Sequence, residues 1–370
     1  MIHNRPLTVY TTNTRRATSG KLSGRVSTAL SGKTRRANVY QSAPQDIGQF
    51  FERLRSSQAI PFSHDSYMAL SKGQQDDLKD VGGFVLGELR GGRRKAGAVL
   101  SRCAAVLDAD TLGPGETDGV VRRMEALGGC YCIYSTAKHS PDAPRLRIVI
   151  PFSEDITADE YEPVTRLLCQ MIQPEMTWFD PSTAEPSRMM YYPAHCQDIA
   201  PVYYAGDKPL LDARMLLSRL QDWQDVTSWP RFPQEQTPAR LAAKQGDPET
   251  KHGVVGAFCR VYDVPAAMDK FLPGVYEEAD TPGRYTFTGG STTGGAVLYD
   301  GGKFLYSHHA TDPCGGKLVN AFDLVRLHCF GDKDDEAAHG ARGNGLPSYG
   351  AMCELAVADE AVSALLDQEK

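Results

Sequence analysis

The chain has no run of 18 apolar residues, so no transmembrane helix and no membrane partner are expected. Its opening, MIHNRPLTVYTTNTRR, lacks an apolar signal core, which argues against secretion. The nine cysteines show neither C-x-x-C pairs nor a framework spacing. Without a signal, that pattern predicts free thiols in a reducing cytoplasm. No G-x-x-x-x-G-K-[ST] loop occurs, so P-loop ATP hydrolysis is not encoded in these residues. Acidic residues are absent from 1–43, which holds Arg5, Arg15, Arg16, Lys21, Arg25, Lys33, Arg35 and Arg36, although the whole chain carries −6. A basic segment on an otherwise acidic protein is either a footprint for a polyanion or a solvated arm.

Against those absences, 370 residues with 41% hydrophobic and 23% charged content can bury a sizeable core in two or three domains. Residues 6–13 read as a strand and 20–45 as loop. DIGQFFERLRSSQ places Ile47, Phe50, Phe51 and Leu54 at helical spacing. The long apolar strand AGAVLSRCAAVLDAD is followed by a helix starting at Thr117 or Asp118, then by strands CYCIYST and PRLRIVIPF. Thr157 and Glu160 form a capping-box signature at the head of the next helix. A short strand MMYYPA and a helix over 211–223 close this unit. The expected division is a catalytic domain over 1–223, a proline-rich linker over 224–250, a small α+β region over 251–345 and a terminal helix over 346–370. That helix has no stop signal, which suggests that it leads into a further domain.

The chemistry centres on LDAD. Residues two apart on a strand share a face, so Asp108 and Asp110 present both carboxylates to one spot. Such a pair repels itself unless a cation intervenes, and carboxylate oxygens suit Mg²⁺ or Mn²⁺. Two-metal phosphoryl transfer needs such a bridge. The bland alternative is a solvated strand end before a turn. Further on, His139 follows a strand end and the Ser135/Thr136 pair, and Arg145 and Arg147 share a face of the next strand. One histidine with two same-facing arginines makes a cationic pocket suited to a triphosphate. Asp180, held by the following proline, offers a third carboxylate, and Arg188 would extend the phosphate pocket or pair with an acid. Arg93, Arg94 and Lys95 lie in a glycine turn entering the LDAD strand and suit template phosphates, or are simply solvated. In the second region, His308, His309, Cys314, His328 and Cys329 lack the usual zinc spacings.

The series LDAD, STAKHS, PRLRIVIP and WFDPSTAEPSRMMYYP resembles the archaeo-eukaryotic primase superfamily. More narrowly, it is similar to primase-polymerase domains of phages, plasmids and integrated elements, including the N-terminal part of virulence-associated E-type proteins. The resemblance implies an α+β fold whose core is an RRM-like antiparallel sheet backed by helices. It implies two divalent ions on Asp108, Asp110 and Asp180, with Ser135, Thr136 and His139 forming the motif that meets nucleotide phosphates. It also implies a single-stranded DNA template, nucleoside triphosphates as substrates and a downstream helicase-type ATPase. Two rivals remain: a metal-dependent nuclease on the same acids, and a non-catalytic DNA-binding or assembly module of a replication complex.

Overall fold

The computed structural model describes residues 6–7, 9–11, 39–42, 45–235, 238–337, 341 and 343–369. The basic segment 1–43 lies largely outside the described residues. The chain forms two compact units, Met1–Gln221 with Trp229–Glu235, and Asp222–Ser228 with Gln236–Lys370.

The first unit is α+β. The strands of its main sheet are β1 (Val9–Thr11), β2 (Gln41–Ser42), β3 (Gly83–Leu89), β4 (Val99–Ala109), β5 (Tyr131–Ser135), β6 (Leu146–Ile156), β7 (Met190–Tyr191) and β8 (Tyr203–Gly206). They pair in the order β8-β5-β6-β4-β3-β1-β2, with β7 also on β3, and every pairing is antiparallel. Its longer helices are α1 (Ile47–Arg55), α2 (Glu116–Leu127) and α3 (Ala158–Ile172). The run β4-α2-β5-β6-α3-β7 has the βαββαβ order of a split βαβ fold. The expected antiparallel sheet backed by helices is therefore present.

Local chemistry sets these elements. Asp46 caps α1 by accepting the Gln49 N–H at 2.7 Å. The Thr157/Glu160 capping box forms as expected at the head of α3. α2 starts at Glu116 after a left-handed Gly115, slightly earlier than Thr117, and stops at Gly128, also left-handed. Ile47, Phe50, Phe51 and Leu54 seat α1 on one face of the sheet, where they pack with Phe84, Leu86, Ala104, Val106, Cys132 and Val149. Phe50 meets Phe84 edge-on, with ring centroids 5.1 Å apart. The alternate positions Leu146, Ile148 and Ile150 of β6 are fully buried, as their shared parity predicts.

The stretch 211–223 is α-helical only over Ala213–Leu217. It then tightens into i→i+3 bonds, Arg219 N–H to Leu216 O and Leu220 N–H to Leu217 O. Within 224–250, Trp229 and Phe232 are buried. Arg166 of α3 fastens Trp229–Glu235 within the first unit: it donates to Pro230 O at 3.0 Å, pairs with Glu235 and lies over the Phe232 ring.

The second unit has helices α4 (Gly253–Val261) and α5 (Val264–Phe271), then strands β9 (Tyr276–Glu278), β10 (Arg284–Phe287), β11 (Ala296–Tyr299), β12 (Phe304–Ser307) and β13 (Leu318–Asn320). The strands form an antiparallel meander in chain order, with GGSTTGG between β10 and β11. Helices α6 (Ala321–Phe330), α7 (Pro347–Ala358) and α8 (Glu360–Gln368) follow. Phe258, Phe322, Leu324, Val325 and Met352 lie in this unit's own core. Among the described residues no helix is long and apolar enough to cross a membrane, and none of the nine cysteines forms a disulfide.

β3 meets β4 across a register shift at Glu88/Leu89, where Gly87 has φ +141° and its missing Cβ would lie 2.0 Å from Ser101 O. Only glycine fits there. Gly87→Ala is expected to cost about 3 kcal/mol, seen as a lower urea midpoint.

Candidate active site

β4 and β6 are paired so that Asp108 faces Arg147 directly across the ladder. The Arg147 guanidinium lies 2.8 Å from Asp108 Oδ2, with side chains only 13% and 9% exposed. Asp110, one residue beyond the strand, is met by Arg145 at 3.0 Å, one residue before β6. The same-face parity read from each strand therefore becomes two cross-strand ion pairs.

Asp180 reaches this spot because its loop is zipped onto the end of β4. Asp180 N–H donates to Asp108 O at 2.9 Å, and Asp110 N–H donates to Trp178 O at 3.1 Å. The buried Thr183 hydroxyl accepts the Asp108 N–H at 2.9 Å and donates to Val106 O at 3.0 Å. Arg102, almost fully buried, anchors the loop's far side by donating to Pro186 O while lying over the Tyr161 ring. Asp180 Oδ1 caps its own turn through Ser182. Arg188 NH2 stands 4.0 Å from Asp180 Oδ2. Each of the three acids thus has its own arginine.

These six side chains line one cavity of about 500 Å³, together with Lys72, Asp76, Lys79, Arg94, Thr136, Lys138, Tyr191 and Tyr192. Burial pushes the Asp108 carboxyl above its usual range, with Arg147 pulling against it and Asp110 adding to it. The donors suit a hard divalent cation. Asp108 and Asp110 each spend only one carboxylate oxygen on arginine, leaving the other without a hydrogen bond among the described residues. The three carboxylates do not all come within 4.8 Å of one another while the arginines hold them.

The remaining candidates divide. Thr136 and Arg94 line the cavity. His139 and Ser135 are not among its lining residues. His139 is buried, and its Nδ1 accepts the Arg145 N–H at 3.2 Å. Burial and nearby His64 lower its pKa, which favours the neutral ring, and the bond at Nδ1 puts that ring's proton on Nε2. Ser135 Oγ accepts the Val202 N–H at 2.9 Å. Arg93 makes an isolated bridge with Val39, and neither it nor Lys95 is among the cavity residues. Sequence reasoning missed Thr183, whose only signal is its place in DPST, and the lysines Lys72, Lys79 and Lys138. The first two occur with Asp76 at helical i, i+4, i+7 spacing, a signal that was there to read.

Residues 12–232 match the family described as VapE N-terminal domain. The chain belongs to that family. A solved structure, the AEP domain (PP-N190) of the cyanophage S-2L primase-polymerase, is 12% identical and covers 58% of this chain and 89% of its own, with a TM-score of 0.30. That score is below the level of a shared fold. No curated protein matches the chain. The matched family region contains all three acids, all three arginines and the Thr183 zipper.

Outside that region, Asp312, Cys314 and His328 of the second unit offer ligand atoms all within 4.8 Å. Asp312 is already engaged: it accepts from Cys314 N–H at 2.7 Å, from Tyr276 OH at 2.7 Å, and pairs with His328 Nε2 at 3.2 Å. This closed network reads as a fastening of β9 to α6. Burial opposes ionisation of Asp312, but these bonds, led by His328, hold its pKa below the usual carboxylate range.

Two outcomes are expected. Thr183→Val leaves Asp108 N–H and Val106 O without partners and should cost about 2 kcal/mol by thermal unfolding. Asp312 stabilises the fold above its unfolded pKa, and that contribution is lost as pH falls through the lower folded value. Asp312→Asn should therefore lose about 3 kcal/mol at pH 7 and show a flatter acid-unfolding profile than wild type by circular dichroism.

Proposed function

We propose that this chain is a template-dependent primase-polymerase, joining nucleoside triphosphates on single-stranded DNA. The observation that carries the reading is the convergence of Asp108, Asp110 and Asp180 with Arg145, Arg147 and Arg188 on one cavity. A nuclease needs the acids but has no triphosphate to hold, so the cationic wall favours transfer over hydrolysis. VapE family membership is consistent with it.

In the proposed reaction, a 3′-hydroxyl bonds to the α-phosphorus of the incoming nucleotide as the bond to pyrophosphate breaks and the hydroxyl proton is released. Asp108, Asp110 and Asp180 would hold Mg²⁺ or Mn²⁺, which when bound neutralises phosphate charge and lowers the hydroxyl's pKa. The arginines, now sharing their acids with that charge, orient and stabilise the reacting phosphate. His139 acts as a positioning residue that fixes Arg145 through its backbone. Arg94 is the member of the glycine-turn trio best placed for a template or nucleotide phosphate, since it lines the cavity.

The test is primer synthesis and primed extension on single-stranded DNA with Mg²⁺ or Mn²⁺ and labelled nucleotides. Wild type should give product, and Asp108→Ala with Asp110→Ala should lower the rate at least about a hundredfold. DNA consumed with metal alone would favour the nuclease. No product on either template, with DNA still bound, would favour the assembly module.

A further inference from the structure

The cavity's positive charge exceeds what its acids use. Seven cationic side chains line it, Lys72, Lys79, Arg94, Lys138, Arg145, Arg147 and Arg188, against the carboxylates of Asp76, Asp108, Asp110 and Asp180. Arg145, Arg147 and Arg188 are taken by the three site acids. Lys79 is taken by Asp76 at 2.8 Å. Lys72 and Lys138 line the same cavity, and among the described residues neither has a carboxylate within ion-pair distance.

Their placement is built. Lys72, Asp76 and Lys79 occupy one face of the helix Lys72–Leu78 and its C-cap, at i, i+4 and i+7. Lys138 follows Thr136 in the turn after β5, and it is half-buried. Burial first, and then the charges of Lys79, Arg145 and Lys72, lower its pKa, with Asp76 pulling the other way. Like charges collect at such a cost where an anion completes the site.

We propose that Lys72 and Lys138, supported by Lys79, hold the terminal phosphates of the nucleoside triphosphate, while Arg145, Arg147 and Arg188 serve the phosphate beside the aspartates. This rests on the nucleotidyl-transfer reading and divides its phosphate pocket in two. The arginines stand within 4.0 Å of the acids and so belong to the reacting phosphate. The lysines stand away from those acids in the same cavity and answer the charge further along the chain of phosphates.

The experiment is calorimetric titration of the full chain with ATP, AMP and a single-stranded oligonucleotide at constant Mg²⁺. It compares wild type, Lys72→Ala with Lys138→Ala, and Lys72→Arg with Lys138→Arg. Wild type should bind ATP more tightly than AMP. The alanine pair should weaken ATP by about tenfold per lysine, change AMP little and leave the oligonucleotide unchanged. The arginine pair should keep most of the ATP preference, which separates charge from folding. An alanine pair that retains the full preference for ATP over AMP overturns the lysine assignment and leaves the transferase reading standing. Loss of the oligonucleotide with ATP unchanged also overturns it, assigning the lysines to nucleic-acid phosphates. A wild type that does not distinguish ATP from AMP removes the transferase reading and this inference together.

Discussion

The Asp108 carboxylate and the Arg147 guanidinium meet 2.8 Å apart, with about a tenth of each side chain in contact with solvent. Taking two charges out of water is costly, and either one left alone would cost more. Their meeting requires that β4 and β6 pair in one register, since a slip by one residue would turn Asp108 toward the helices on the opposite face. The remainder of the site hangs from that register. Arg145 and Asp110 follow one step further along the same two strands, and the Asp180 loop hydrogen-bonds to the Asp108 backbone itself.

Three carboxylates at one cavity repel one another. The fold answers by giving each an arginine, Arg147 from β6, Arg145 from the residue before it and Arg188 from the loop after Asp180. This arrangement balances the acid cluster from within the fold, and it leaves one carboxylate oxygen each of Asp108 and Asp110 off the arginines. It also changes what the arginines are. In the proposed reaction they are counter-charges to the acids first and phosphate ligands second, which is why the lysines on the helix Lys72–Leu78 and in the turn after β5 acquire significance there.

The second unit obeys different constraints. Its core is separate, and at its edge the buried Asp312 joins Tyr276, Cys314 and His328. A carboxylate so fully engaged fixes a strand to a helix, and the cost of burying it is met by the donors around it. Asp312, Cys314 and His328 bring their ligand atoms within 4.8 Å of one another, and Asp312 spends its oxygens on the other two and on Tyr276.

Much of the first unit was legible in one dimension because its signals are local. Helical spacing placed α1, Thr157 and Glu160 placed the head of α3, and alternation put Leu146, Ile148 and Ile150 on one face and Arg145 and Arg147 on the other. Strand parity likewise put Asp108 and Asp110 together. The sequence by itself determined which residues share a side of their own element, because backbone geometry fixes that within a few residues. Only the tertiary structure decided which elements meet: that Asp108 faces Arg147, that Thr183 bonds to a strand some 75 residues earlier, that His139 holds the Arg145 backbone while Ser135 turns to Val202, and that Lys72 joins Lys138. Register and long-range packing depend on the summed burial of the whole sheet, and no short window of sequence contains that sum.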